Sequence, residues 1–399
     1  MEDPLDFYIV DIAEVKEALE NNDTAAATEK IQECLEKQEK IPLNIAITGE
    51  SGAGKSTFIN AFRGIDHKDE RAARTGAVET TMELTKYPHP NYPNVLFWDL
   101  PGIGTTNFPA DEYLKKMEFE KFDFFIIISD TRFRENDVKL ALEIQKMEKK
   151  FYFVRSKIDN DVRAEERTQK DFSLEKSLEG IKRNCIQGLQ KGGMTSPKVF
   201  LVSSFELHLY DFPLLQNTLE KELPAHKRDV LLFAMPNINM EIINKKKEAF
   251  QAKIKLYSAG SAMAAGVPIP FLSVTVDLTI MVKAIVDYLT GFGLDEPSLE
   301  RLSSTSGVSL DELHAVLKSP LAAKNITNDL VLKVLSHLTG TTALMAAEEG
   351  SRFIPLFGIP LAMSVSFVTT YRALRFFLNM LADDAQSVFK KALGLETAE

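Results

Sequence analysis

Gly49-Glu-Ser-Gly-Ala-Gly-Lys-Ser56 is the stretch that decides the fold. It fits the spacing G-x-x-x-x-G-K-[ST] at each required position. Before it lies Leu43-Asn-Ile-Ala-Ile-Thr48, a short apolar run that suits a buried strand; after it Thr57-Phe-Ile-Asn-Ala-Phe-Arg63 reads as a helix that stops at Gly64. Strand, glycine loop and helix are the context this pattern needs, and a chance glycine turn has no reason to sit in it. Glycines at 49, 52 and 54 let backbone N–H groups approach phosphate oxygens that a side chain would keep away. Those N–H groups and the start of the helix form an anion nest. Glu50, Ser51, Ala53 and Thr57 complete the cradle through their backbone. Lys55 supplies a positive charge for β and γ phosphates, and the Ser56 hydroxyl is a ligand for Mg²⁺.

Outward from this loop, apolar strands recur at Leu43–Thr48, Val95–Trp98, Phe124–Ser129, Phe151–Arg155 and Val199–Val202. Helical stretches such as Asp137–Lys149 and Leu174–Leu189 alternate with them, which predicts an α/β domain with a mainly parallel sheet over 41–223. Met82–Tyr87 reads as an added edge strand. Ligands of such sheets lie at the carboxyl ends of the strands. From 224 the strand pattern stops, and Met240–Leu256, Thr275–Leu289, Leu310–Leu317, Asn328–Leu338 and Tyr371–Leu393 read as an all-α domain over 224–399. Residues 11–39 read as two further helices, and the segment 1–40 is expected to join the helical domain.

Composition narrows the function classes. A chain of 399 residues exceeds one simple core. A net charge of -10 argues against a broad nucleic-acid surface, which needs a basic footprint. Cys34 and Cys185 have no metal or redox spacing and read as free thiols of a reducing compartment. The opening Met-Glu-Asp-Pro has no signal-sequence character, and Glu2 leaves no glycine for N-myristoylation.

Two further motifs follow in order at strand ends. Asp99-Leu-Pro-Gly102 fits D-x-x-G, in which Asp99 reaches Mg²⁺ through water and the Gly102 N–H senses a γ-phosphate. Ser156-Lys-Ile-Asp159 fits the base-reading [NTS]-K-x-D. The Asp159 carboxylate can accept both guanine N1–H and the N2 amine, a donor pair that adenine lacks, and the Lys157 stem can cover the base. The reading is therefore binding of GTP and GDP with Mg²⁺. Many GTPases carry Asn where this chain has Ser156, so one contact differs here. Ser203 and Ser204 close the next strand, where a backbone contact to the base is expected. Between loop and Asp99, Arg74-Thr-Gly-Ala-Val-Glu-Thr-Thr-Met82 is placed for a switch loop; Thr81 is the candidate Mg²⁺ ligand, with Thr80 and Thr75 behind it, and the same residues also read as a lead-in to the edge strand. Ile103 stands where small regulatory GTPases often carry a water-orienting Gln, so hydrolysis is either slow or completed by another group.

Gly49–Ser56, Phe97-Trp-Asp-Leu-Pro-Gly-Ile-Gly104, Asp123-Phe-Phe-Ile-Ile-Ile-Ser129 and Phe151-Tyr-Phe-Val-Arg155 closely resemble the interferon-inducible immunity-related GTPases. The match is most specific over residues 40 to 230. The resemblance implies a Ras-like GTPase domain on a helical domain built from both chain ends. It further implies GTP-dependent self-association through the nucleotide face, hetero-association with related GTPases, and a cytoplasmic protein acting peripherally at membranes around intracellular pathogens. Some members replace the loop lysine with methionine and act as regulators; Lys55 makes this chain similar to the effector-like subgroup. Glu79 matches by position a switch-loop glutamate that takes part in catalysis when two copies meet. The alternative from another class is a nucleotide-locked regulator of partner GTPases with little turnover.

Membrane contact has three sequence features behind it. Leu256–Val276 and Phe353–Tyr371 are uncharged, Pro- and Gly-containing runs close to the ~20 residues of a membrane span, but their prolines and modest apolarity favour helices meeting at a turn. Lys245, Lys246, Lys247, Lys253 and Lys255 precede the first run, and Arg372–Leu393 is amphipathic through Leu374, Phe377, Leu381, Val388 and Phe389. The competing account assigns these apolar residues to the helical core.

Overall fold

The computed structural model describes residues 30, 33, 41–75, 84–101, 119–131, 133, 135–265, 272–322, 325–334 and 361–395. The chain divides into two units, one over Ile41–Ile238 and one that takes Met1–Lys40 together with Asn239–Glu399.

The first unit is a sheet in the order β2-β3-β1-β4-β5-β6. Its strands are β1 (Leu43–Gly49), β2 (Thr85–Pro88), β3 (Val95–Asp99), β4 (Phe124–Ser129), β5 (Lys150–Arg155) and β6 (Val199–Leu201). All pairings are parallel except β2 with β3, where Lys86 faces Trp98 and Tyr87 faces Phe97. Burial follows position. In β4, Phe-Phe-Ile-Ile-Ile-Ser is buried throughout, as a central parallel strand covered on both faces must be. In β2, half-buried residues alternate with exposed ones, as on an edge, and its last residue is Pro88, which an edge tolerates. The edge strand expected over Met82–Tyr87 forms as Thr85–Pro88, with Leu84 just outside it.

Helices cover the faces: α1 (Lys55–Phe62), α2 (Glu135–Lys146), α3 (Ile158–Thr168), α4 (Leu174–Lys191), α5 (Phe212–Glu222) and α6 (Ala225–Ala234). One face is closed by aromatic packing between α1, β3 and α5, where the Phe62 ring lies 5.1 Å from Phe97 and 5.7 Å from Phe212. The other is closed by Phe119, Phe122 and Phe125, the outer pair stacked at 4.7 Å. α6 packs on β1 and β3, so this unit extends past 223 to Ile238. A helix after the last strand looks the same in sequence whichever core it joins; Leu231 and Leu232, buried beside the sheet, decide it.

The second unit contains α7 (Met240–Ala265), α8 (Leu272–Phe292), α9 (Glu296–Ser306), α10 (Leu310–Ala315), a helical stretch over 328–334, and α11 (Leu361–Ala392). α7, α8 and α11 pack on one another. Phe250 sits at their centre, 4.8 Å from Tyr288 and 5.5 Å from Phe292. α9 starts at Asp295, which accepts from the Ser298 N–H, and ends at Gly307 in the left-handed conformation. α10 carries a full capping box between Ser309 and Glu312.

The structure corrects two of the membrane features. Lys246 is buried and donates to the Gly291 carbonyl at 2.8 Å, and Lys245 pairs with Glu241 at 3.4 Å. Five lysines in one stretch of helix do not share a face, because a turn holds only 3.6 residues. Leu374, Phe377, Leu381, Val388 and Phe389 are buried, so the amphipathic face of α11 is core. No described helix is long and apolar enough to cross a membrane. Residues 266–271 of the first uncharged run, 353–360 of the second, and the helices expected over 11–39 apart from residues 30 and 33, lie outside the described residues.

Candidate nucleotide site

β1 delivers the chain to Gly49 at the carboxyl end of the sheet. Gly49 has φ 141°, and a Cβ there would lie 2.0 Å from the Ile128 carbonyl oxygen, so neighbouring β4 requires glycine. Gly54 is the N-cap of α1 at φ 94°, a left-handed position. No side chain caps this helix, so its first turn points its N–H groups into the loop. Lys55 is 7% exposed, and its Nζ donates to the Gly49 and Glu50 carbonyls at 3.1 and 2.9 Å. The ammonium is thereby held across the mouth of the loop that surrounds it.

The Ser56 hydroxyl donates to Asp99 Oδ2 at 3.0 Å, and Asp99 is fully buried at the end of β3. A hydroxyl and a carboxylate converging beside a phosphate loop are the hard oxygen donors Mg²⁺ takes, since it keeps waters and phosphate oxygens for the rest of its shell. The residues present therefore fit the ion, with Ser56 and Asp99 as its holders. Among the described residues no group of three or more His, Cys, Asp or Glu side chains gathers as a metal site.

The base-reading element is joined to the phosphate loop by side chains. Ser156 Oγ donates to the Ala53 carbonyl at 2.6 Å and lies 3.3 Å from the Ser129 carbonyl. Lys157 Nζ donates to the Gly52 carbonyl at 2.7 Å and pairs with Asp130 Oδ2 at 2.7 Å. Serine at 156 therefore has a structural task that its short hydroxyl performs, tying the end of β5 to the loop. Lys157 takes φ 57°, a left-handed conformation costing a non-glycine residue about 1–2 kcal/mol. That kink turns the chain from β5 into α3 and sets Asp159 in the first turn, 7% exposed, with Arg163 Nη1 3.9 Å from its Oδ2. β6 lies alongside through Val202 N–H to the Arg155 carbonyl at 2.8 Å and Ile158 N–H to the Val202 carbonyl at 3.4 Å. Ser203 is fully buried, and its Oγ accepts from the Phe205 N–H at 3.3 Å; Ser204 follows it in the loop.

The structure thus brings together Gly49 to Thr57, Asp99, Ser156, Lys157, Asp159, Ser203 and Ser204 at one end of the sheet. Thr75 is described and exposed. Glu79, Thr80, Thr81, Gly102 and Ile103 lie outside the described residues. Three residues are additions to the sequence reading. Asp130 neutralises Lys157. Arg155, buried, donates to the Ser156 carbonyl at 2.6 Å and pairs with Asp161. Burial pushes the Asp161 carboxyl up, against the opposing guanidinium. Phe205 follows the serine pair, exposed. An Asp just past an apolar strand and an Arg closing one were the available signals for the first two.

Fold and site define a P-loop GTPase domain of the Ras-like kind, joined to a helical unit. The family model "Interferon-inducible GTPase (IIGP)" matches residues 9–392, and the chain belongs to that family. It is 40% identical to interferon-gamma-inducible GTPase 10 of Mus musculus, covering 96% of this chain and 90% of that protein. It is 39% identical to interferon-inducible GTPase 5 of Rattus norvegicus over 95% of this chain and 82% of that protein. Among solved structures, Era of Aquifex aeolicus bound to GDP and aluminium fluoride aligns at 22% identity and TM-score 0.31, covering 45% of this chain and 56% of that one.

Proposed function

We propose that this chain binds GTP and hydrolyses it to GDP and phosphate with Mg²⁺, by GTP-dependent self-association through the nucleotide domain, as part of cell-autonomous immunity. The observation that carries the reading is the clasp of Ser156 on Ala53 and Lys157 on Gly52, which builds base reader and phosphate cradle as one piece. Asp159 accepts the guanine N1–H and N2 donors, and loop N–H groups with Lys55 bind the phosphates. Ser56 and Asp99 would hold Mg²⁺, which would supply positive charge to offset that of the phosphates. Thr81 and the Gly102 N–H are proposed to close over the γ-phosphate. Ile103 leaves no water-orienting amide in cis, which supports completion of the site by a second copy through Glu79, or by a related GTPase.

Turnover per molecule at rising protein concentration tests this. It is expected to increase together with light scattering in GTP, and ATP is expected to give neither. Constant turnover across a wide concentration range would favour the nucleotide-locked regulator. A cytoplasmic protein in peripheral contact with intracellular membranes completes the proposal; the two uncharged runs now support it alone. Flotation with anionic vesicles in a non-hydrolysable GTP analogue, reversed by high salt, is the expected result. No flotation in either nucleotide state leaves the runs as core hairpins.

A further inference from the structure

We propose that Phe205, backed by His67, is an aromatic wall against which the guanine ring packs, so that the base site has a stacking surface beside the Asp159 edge contact. The proposal rests on the nucleotide reading above and specifies how the base is covered.

Phe205 is 69% exposed, more than any other described large apolar side chain. A single exposed apolar residue needs no explanation by itself. This one is held from both sides. Its N–H is anchored on the buried Ser203 hydroxyl at 3.3 Å. Its ring lies 5.5 Å from His67 at an interplanar angle of 59°. His67 is fixed in turn, its Nδ1 3.2 Å from Asn60 Nδ2. Asn60 is fully buried on α1, and it donates to the Ala73 carbonyl at 2.9 Å and accepts the Ala73 N–H at 2.7 Å. The pair is therefore preorganised between the helix that carries the phosphate loop and the loop that closes the base site.

Position supplies the ligand. The 203–210 loop leaves the sheet beside Asp159: Val202, directly before the loop, accepts the N–H of Ile158, the residue before Asp159, at 3.4 Å. Asp159 fixes one edge of a guanine ring, and edge bonds in the ring plane leave both faces to be covered. The Lys157 stem crosses the phosphate loop towards Gly52 and serves one face. An aromatic ring in the serine loop is the matching surface for the other, with an energy typical of base–aromatic stacking.

The test uses the full chain and two probes. Calorimetry measures GDP, which uses base and phosphate sites, and inorganic tripolyphosphate, which uses the phosphate loop alone. Phe205→Ala is expected to weaken GDP roughly ten- to a hundredfold and to leave tripolyphosphate affinity and the melting temperature unchanged. His67→Ala is expected to weaken GDP less, and Phe205→Trp to restore it. Unchanged GDP affinity in Phe205→Ala overturns the wall while leaving the nucleotide reading in place. An equal loss for tripolyphosphate also overturns it, since the ring would then be acting on the loop. A wild-type chain that binds no GDP overturns both readings at once.

Discussion

The two units bury polar side chains in different ways. In the nucleotide unit, Lys55, Asp99, Ser129, Arg155, Ser156, Asp159 and Ser203 are buried at one end of one sheet, at the strand ends and in the loops and helix starts that follow them. In the helical unit, Lys246 and Asp384 are buried too, but apart and on different errands. Lys246 donates to the Gly291 carbonyl in the last turn of α8, one of the carbonyls a helix end leaves without an internal partner. Asp384 accepts the Lys318 and Ser319 N–H groups at 2.8 and 2.9 Å, beyond the end of α10. Burial that converges makes a site. Burial that serves one backbone end at a time makes architecture.

Substitutions in the two units should therefore fail in different assays. The largest effect is expected from Asp159→Asn, which reverses the donor–acceptor match to the guanine N2 position. GTP affinity should fall by on the order of a thousandfold or more, with xanthosine triphosphate favoured in competition binding. If ATP competes as well as GTP in the wild type, the base assignment fails. Lys55→Ala comes next. Removing the ammonium should lower turnover about 10²–10³-fold while the melting temperature moves by no more than a few degrees. A loss of fold instead would place Lys55 with the architectural residues.

In the helical unit the order of consequences inverts. Asp384→Ala leaves two N–H groups without their acceptor and should cost about 2 kcal/mol in urea unfolding, with GDP affinity unchanged. A coupled loss of affinity would end the separation between the units. The smallest expected effect, taken per pH unit, is a slope at Lys246. Burial lowers its pKa to about 7, while the unfolded chain keeps an ordinary lysine. Between pH 7 and 10 the unfolded chain then binds more protons, so stability rises with pH, by at most about 1.4 kcal/mol per unit. Lys246→Met should flatten that slope in urea midpoints taken at pH 7 and pH 9; equal slopes in the two proteins would sink the assignment.

The nucleotide site was largely legible because its demands are local. Glycine at 49 and 54 answers a backbone conformation, and D-x-x-G and S-K-x-D each occupy one strand end. The parallel sheet was legible because strands buried on both faces must be continuously apolar. The lysine run before the first uncharged stretch misled. Charge in a row reads as a solvated face, yet the rotation of α7 against α8 and α11 sends Lys246 inward, and that rotation is set by the fit of Phe250, Tyr288 and Phe292.

By itself, then, the sequence determined a mainly parallel sheet and marked a candidate phosphate loop and a candidate guanine-reading element at its strand ends, since glycine geometry, hydrogen-bond donor pattern and strand burial are properties of a few consecutive residues. Only the tertiary structure decided what meets across distance. It showed that Ser156 closes on Ala53, 103 positions away, that His67 backs Phe205, that α6 belongs to the sheet, and that the apolar face of α11 is spent on the core. Each is a choice among partners of equal local quality, and only packing the whole chain resolves such a choice.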